Sequence, residues 1–98
     1  MNEIYTTNIF DEWLSALKDK VAQAAIRKRI HKAELGNFGK VRFLRDGLWE
    51  MKIDISGGYR LYYKQTGKVV YLIAMGGDKS TQDKDIETAL RIIQELGL

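Results

Sequence analysis

Apolar residues near the start of the chain recur with the spacing of amphipathic helices. The i, i+3, i+4, i+7 pattern of one helix face is formed by Phe10, Trp13, Leu14 and Leu17. This pattern predicts a first helix, for which Asn8 is the candidate cap. A second helix is predicted from about Lys20 to Leu35, because Gly36 is a natural stop. Its apolar face consists of Ala22, Ile26, Ile30 and Ala33. The two helices are expected to form a helical hairpin.

Beyond the second helix the period changes to the alternation of β-strands. Val41 and Phe43 begin the strand region, and the residues that alternate toward a predicted core are Trp49, Met51, Ile53, Tyr59, Leu61 and Tyr63. Turns are predicted at Arg45-Asp46-Gly47, Gly57-Gly58 and Thr66-Gly67. The strands that such tight turns join must be antiparallel. The segment Val69–Met75 is apolar on both faces, which is typical of a central strand.

The two ends of the chain complete the predicted fold. A short strand is predicted at about Glu3–Thr6, and Ser80-Thr81-Gln82-Asp83 matches a capping box that opens a final helix. The inward face of that helix is expected to consist of Ile86, Ala89, Leu90, Ile93 and Leu96. The sequence therefore predicts one α+β domain over residues 1–98, with a short N-terminal strand, a helical hairpin, an antiparallel sheet of three to four strands and a C-terminal helix. Such a sheet can bury one face under helices and leave the other to water.

Charge adds a second feature to this fold. The 98 residues have a net charge of +3, yet residues 27–68 contain 11 Lys and Arg against 4 Asp and Glu, and the remainder contains 5 against 9. A basic middle indicates a polyanion-binding face, with a solvated basic helix as the alternative. The chain has no Cys, which excludes disulfides and thiolate metal sites. No secretion signal or membrane-length apolar run is present, so a cytoplasmic location without a membrane partner is expected.

The outward strand positions carry the candidate chemistry. They are Glu50, Lys52, Arg60, Tyr62 and Lys64. Pairing across the Gly57-Gly58 turn brings Lys52 close to Arg60 and Tyr62. Lys79 follows the central strand at a Gly76-Gly77-Asp78 corner, where glycines permit close ligand approach and a helix N-terminus favours an anion. Lys52, Arg60 and Lys79 are therefore expected to converge on one phosphate group.

These residue types fit the cleavage of RNA without a metal. Arg60 suits stabilisation of the phosphorane, because its guanidinium can bind two phosphate oxygens. A lysine beside other cations can act as base or acid, because neighbouring positive charge lowers its pKa. Tyr62 could stack on a base or share in proton transfer, and Glu50 could be a general base. The candidate RNA-binding residues of the basic segment are Lys40, Arg42, Arg45 and Lys64.

Each of these candidates also has a structural interpretation. The strand cations could form a solvated sheet face that discourages edge pairing. Tyr62 could simply pack within its strand. Glu50 could form a salt bridge with Lys52, Lys64 or Arg60.

Three segments carry a resemblance to a known family. They are Leu48-Trp49-Glu50-Met51-Lys52-Ile53-Asp54, Gly58-Tyr59-Arg60-Leu61-Tyr62-Tyr63 and Gly76-Gly77-Asp78-Lys79-Ser80. With them the chain resembles the phage-Gp49-like, HigB-type branch of the RelE/ParE toxins, often called addiction-module killer proteins. The resemblance runs nearly end to end and includes the element order. The Gly-Tyr-Arg strand and the Gly-Gly-Asp-Lys-Ser corner are fairly specific together and weak singly.

The resemblance implies the toxin of a type II toxin–antitoxin system. It implies a RelE-like fold and a ribosome-dependent endoribonuclease that cuts mRNA in the A site, with no cofactor and no metal. It also implies a cognate antitoxin, a helix-turn-helix, HigA-like protein that blocks the toxin and represses the operon, so that operator DNA is contacted only through the antitoxin. Arg60 matches the arginine at the scissile phosphate, Lys52 a catalytic strand lysine and Lys79 a second cation.

Two departures leave the proton-transfer roles open. Glu50 stands where RelE itself has another lysine, and no tyrosine follows Tyr71, so the C-terminal catalytic tyrosine of RelE has no match. A non-enzymatic, ParE-like toxin that binds DNA gyrase is one alternative function on the same fold. A plain RNA-binding or phage structural module is another.

Overall fold

Eight elements follow one another in the predicted order. The computed structural model describes residues 1–76 and 81–98. The elements are β1 (Glu3–Thr6), α1 (Asn8–Ala16), α2 (Lys20–Glu34), β2 (Lys40–Arg45), β3 (Leu48–Ile53), β4 (Tyr59–Thr66), β5 (Val69–Gly76) and α3 (Gln82–Leu96). The α+β class, the helical hairpin and the C-terminal helix are confirmed, and the architecture is compatible with a RelE-like fold.

Local hydrogen bonds define where the hairpin helices begin. The Thr7 hydroxyl accepts a 3.1 Å hydrogen bond from the Phe10 amide, so the cap of α1 is Thr7 and the prediction of Asn8 is wrong by one residue. Asp19 caps α2 by accepting from the Ala22 amide at 3.0 Å. Hydrogen bonds from the Ser56 side chain and from the Ala22 amide hold the pKa of Asp19 below its ordinary value.

The strands form one mixed sheet of five, in the order β1-β5-β4-β3-β2. The four strands from β2 to β5 pair antiparallel through tight turns, as predicted. The N-terminal strand adds a fifth member, because β1 pairs parallel with β5. Tyr5 stacks on Tyr71 across this pair, with ring centroids 5.8 Å apart.

Helices cover both faces of the sheet. The core beneath α1 and α2 consists of Phe10, Leu14, Ile26, Ala33, Met51, Ile53, Leu61, Tyr63 and Val70. A second core beneath α3 consists of Leu48, Tyr62, Ala89, Ile92 and Ile93. The expectation that the second face is left to water is therefore wrong for the part that α3 covers. The physical reason is that Leu48 and Tyr62 present apolar surface there, against which α3 buries its apolar stripe.

Helix α3 differs from its prediction at both ends. Its cap is Thr81, one residue after the first position of the predicted capping box, and Ser80 lies outside the described residues. The Thr81 hydroxyl donates to the Asp85 carboxylate at 2.8 Å. Leu96 is 56% exposed, so its inward assignment is wrong, and Ile92 is buried instead. Across the described ranges, no helix has the length and apolarity to cross a membrane.

Candidate active site

A row of cations crosses three adjacent strands at one end of the α3 face. Lys40 of β2 pairs with Lys52 of β3, and Lys52 pairs with Arg60 of β4. Directly paired residues project from the same face, so the three side chains lie side by side over roughly 10 Å. The predicted proximity of Lys52 and Arg60 is confirmed. We call Lys40, Lys52 and Arg60 the cationic row.

A buried carboxylate lies beside the cationic row. The Glu50 side chain is only 6% exposed, and its Oε2 accepts a 2.7 Å hydrogen bond from Gln82 Nε2 of α3. Arg42 Nη2 lies 3.5 Å from the same oxygen, and Arg60 Nε lies 3.6 Å from Oε1. Of the salt bridges predicted for Glu50, the one with Arg60 is present. The carboxylate therefore lies against the Nε side of the Arg60 guanidinium.

Arg60 is buried but incompletely bonded. The residue is 6% exposed, and within residues 1–76 and 81–98 its Nε has no hydrogen-bond partner. The 3.6 Å separation from Glu50 is an ion-pair distance rather than a hydrogen bond. This Nε faces the buried Glu50 carboxylate, so the ion pair compensates for its burial and the other guanidinium nitrogens are the donors left for a ligand. Arg60 also lines two adjoining surface depressions, which leaves it reachable from outside.

The other two members of the row share a counter-ion that the sequence analysis missed. Lys40 Nζ lies 2.9 Å from Asp54 Oδ2, and Lys52 Nζ lies 3.5 Å from Asp54 Oδ1. The hydrogen bond from Lys40 is the main reason why the pKa of Asp54 lies below its ordinary value. The signal was present in the sequence, because Asp54 stands two positions after Lys52 and so shares its strand face.

Tyr62 belongs to the covered part of this face. It is 0% exposed and packs in the core beneath α3. Its hydroxyl finds no hydrogen-bond partner in the described parts of the chain. Burial is the main cause that raises the pKa of Tyr62 above its ordinary value. In this conformation the ring has a packing role, which was the structural alternative for Tyr62, and it cannot stack on an RNA base.

The predicted RNA-binding residues fall into two groups. Lys40 and Arg42 line the same depression as Lys52 and Arg60. Lys64 pairs with Leu48 and lies four residues, or roughly 13 Å, along β4 from Arg60, with α3 packed between them. Arg45 lies at the end of β2 and lines a separate groove with Asp83 and Glu87.

Lys79 and Gln82 are two further positions that bear on the site. Lys79 lies outside the described residues, and β5 ends at Gly76, whose Cα partner is Arg60. Gln82 is a contact that sequence reasoning missed, because it depends on how α3 docks. In the described ranges no group of three or more His, Cys, Asp or Glu side chains could hold a metal ion.

The fold and the site together define a small α+β protein with a reachable cationic row against a buried carboxylate, an arrangement suited to an anionic ligand. Residues 12–94 match the phage-derived Gp49-like protein family, so the chain belongs to this family of addiction-module killer, toxin-like proteins. A protein of Haemophilus influenzae (strain ATCC 51907 / DSM 11121 / KW20 / Rd), described as "Uncharacterized protein", is 49% identical over 96 residues, which cover 98% of this chain and 97% of the relative. The family supports a toxin role and suggests a cognate antitoxin.

Proposed function

We propose that this protein is the toxin of a type II toxin–antitoxin system and a ribosome-dependent endoribonuclease of the RelE/ParE, HigB-type kind, which cuts mRNA in the A site without a metal. Family membership supports the toxin role. The buried Arg60, ion-paired with Glu50 and set within the cationic row, is the observation that carries the nuclease activity. A guanidinium held in this way is organised for an anion before the anion arrives.

Arg60 stabilises the charge that develops on the phosphorane. Its guanidinium stays protonated and can donate to two phosphate oxygens at once. Glu50 lies against the Nε side of Arg60, and Gln82 in turn holds Glu50. This chain of contacts fixes the direction in which Arg60 presents its remaining donors. The partly buried setting strengthens the interaction, because water competes less there than at an open surface.

Proton transfer falls to groups at the open side of the row. The Lys52 side chain is 41% exposed, so it can reach a bound phosphodiester beside Arg60. We assign Lys52 to proton transfer, either from the attacking 2′-hydroxyl or to the leaving 5′-oxygen. The family resemblance gives Lys79 the role of a second cation. Gln82 and Arg42 hold the Glu50 carboxylate, which suits it to orient Arg60 rather than to act as base.

The partner of this toxin is its antitoxin. In this proposal a HigA-like helix-turn-helix protein blocks the toxin and binds the operator DNA, while the toxin itself contacts the ribosome and mRNA. The open end of the α3 face, where Lys40, Arg42 and Lys52 are accessible, is the surface that the ribosome-bound mRNA must reach.

Primer extension on a translated mRNA with programmed ribosomes tests the proposal. Wild-type protein should cut inside the reading frame only when ribosomes are present. Arg60→Ala should lower the cleavage rate by roughly 100-fold or more, as expected for the loss of a transition-state donor. Arg60→Lys keeps a positive charge beside Glu50 but loses the planar guanidinium that can donate to two oxygens. It should therefore retain the fold and cut more slowly than the wild type.

Matched controls separate the site from general charge. Arg91→Ala removes an exposed arginine of α3, and Lys68→Ala removes an exposed lysine of the β4–β5 turn. Both should cut like the wild type. Intact mRNA with a protein that still arrests growth would contradict the nuclease, and a supercoiling assay would then test DNA gyrase as the target. No growth arrest at all would favour a plain RNA-binding or phage structural module.

A further inference from the structure

The exposed part of the cationic row is already occupied by an anion from the chain itself. Asp54 places one oxygen 2.9 Å from Lys40 Nζ and the other 3.5 Å from Lys52 Nζ. The three side chains are 71%, 41% and 53% exposed for Lys40, Lys52 and Asp54. An exposed ion pair of this kind is weak, so a stronger anion can replace the carboxylate at low cost.

The ion-paired group of Lys40, Asp54 and Lys52 adjoins further basic residues. Lys52 lines three neighbouring depressions: one with Gly57, Gly58 and Arg60, one with Arg42 and Arg60, and one that runs toward α2. The last is lined by Lys28 and Lys32 of α2 together with Lys40 and Lys52. A continuous basic path therefore leads from Arg60, past Asp54, to the exposed face of α2.

We propose that Lys40 and Lys52 form a second phosphate subsite, for the nucleotide next to the cleavage site, and that Asp54 fills this subsite until RNA displaces it. The inference rests on the proposed function for the identity of its ligand, a single-stranded RNA backbone. Lys40 and Arg60 lie two strand spacings apart, roughly 10 Å, which leaves room for two successive phosphates to bind side by side. Beyond them, Lys28 and Lys32 continue the path with further positive charge.

Asp54 then has a role as a selectivity element. A ligand that displaces Asp54 must place one anionic group against Arg60 and another against Lys40, on the two sides of Lys52. The second group replaces the ion pair that Lys40 loses with Asp54. A single isolated anion gains only one of these contacts. The carboxylate therefore favours a polyanionic strand over small anions at the same site.

Binding of a short fluorescent RNA measured by anisotropy tests the subsite apart from cleavage. The probe is a single-stranded RNA with 2′-O-methyl riboses, which cannot be cut because the attacking hydroxyl is blocked. Asp54→Asn should bind about 3- to 5-fold more tightly than wild type at low salt. Lys40→Ala should bind more weakly by a similar factor, and its dependence on log salt should be shallower by about 0.7, the value for one lost phosphate contact.

Control variants distinguish a local subsite from net charge. Glu95→Gln makes the same charge change as Asp54→Asn on the exposed end of α3, and Lys68→Ala matches Lys40→Ala. Each control variant should change RNA binding less than the variant that it matches. In a Lys40→Ala, Lys52→Ala background, Asp54→Asn should change RNA affinity no more than Glu95→Gln does. The reason is that both lysines that pair with Asp54 are gone.

Three results would overturn the subsite. They are equal effects of Asp54→Asn and Glu95→Gln, no measurable RNA binding by either wild type or Asp54→Asn at low salt, and displacement of RNA by poly-glutamate at equal charge concentration. The last would indicate an acidic protein as the ligand. The expected pattern in binding, combined with no mRNA cutting on ribosomes, would keep the subsite and reject the proposed nuclease.

Discussion

Two neighbouring regions of the same sheet face differ in what lies above them. Under α3, Leu48 and Tyr62 are 0% exposed and form an apolar core with the helix. Two to four residues further along the same strands, Lys52 and Arg60 line open depressions. Glu50 lies at the boundary, where Gln82 of α3 holds its carboxylate.

The difference shows that the helix, rather than the strand pattern, decides the role of each outward position. The same two strands supply apolar anchors where α3 covers them and charged groups where it does not. The boundary gives Arg60 its particular state, since it is buried by its neighbours on one side and lines the depressions on the other.

The largest expected effect is a loss of stability in the covered region. Leu48→Ala should lower the free energy of unfolding by about 2–5 kcal/mol, because it opens a cavity beneath α3. Leu96→Ala is the matched control, since Leu96 is 56% exposed, and it should change stability by less than about 0.5 kcal/mol. Urea unfolding followed by circular dichroism measures both. Equal costs would mean that α3 does not dock on this face.

An alkaline titration extends the comparison to the opposite face, beneath α1 and α2. Burial there raises the pKa of Tyr63 from 10.0 to about 12. The folded state thus favours the protonated phenol, and this contribution is complete below pH 10 and is lost as the pH rises toward 12. We expect the phenol to account for roughly 1–2 kcal/mol of lost stability in that window. Urea unfolding at several pH values should show a shallower decline for Tyr63→Phe, and an identical decline would contradict the assignment.

The smallest expected effect concerns a polar group within the covered region. The Tyr62 hydroxyl is buried without a hydrogen-bond partner in the residues that the structure describes. Tyr62→Phe should therefore raise the free energy of unfolding, by up to about 1 kcal/mol. Cleavage on ribosomes should stay at the wild-type rate, because the hydroxyl lies beneath α3. A stable variant that no longer cuts would instead assign Tyr62 to catalysis.

Periodicity was enough to predict the elements and one central contact. Helical spacing located α1 and α2, and the alternation around the Gly57-Gly58 turn placed Lys52 beside Arg60. Alternation reports which face a residue takes, but it carries no information on what covers that face. The burial of Tyr62 beneath α3 therefore could not be predicted.

Contacts between distant segments were the other gap. The Gln82 contact with Glu50 joins α3 to β3 and depends on tertiary docking alone. The parallel pairing of β1 likewise has no signature in a four-residue strand. Asp54 differs from both, because its place on the face of Lys52 was readable from the spacing.

The parallel pairing of β1 also has a consequence for the order of folding. Residues 3–6 find their partners only at residues 69–72, whereas β2, β3 and β4 pair with immediate neighbours in sequence. Local hairpins form early, and contacts that close a long loop form late and slowly. During synthesis the first strand emerges from the ribosome long before its partner, so it must wait for β5. We therefore expect the sheet to be completed only after β5 has emerged.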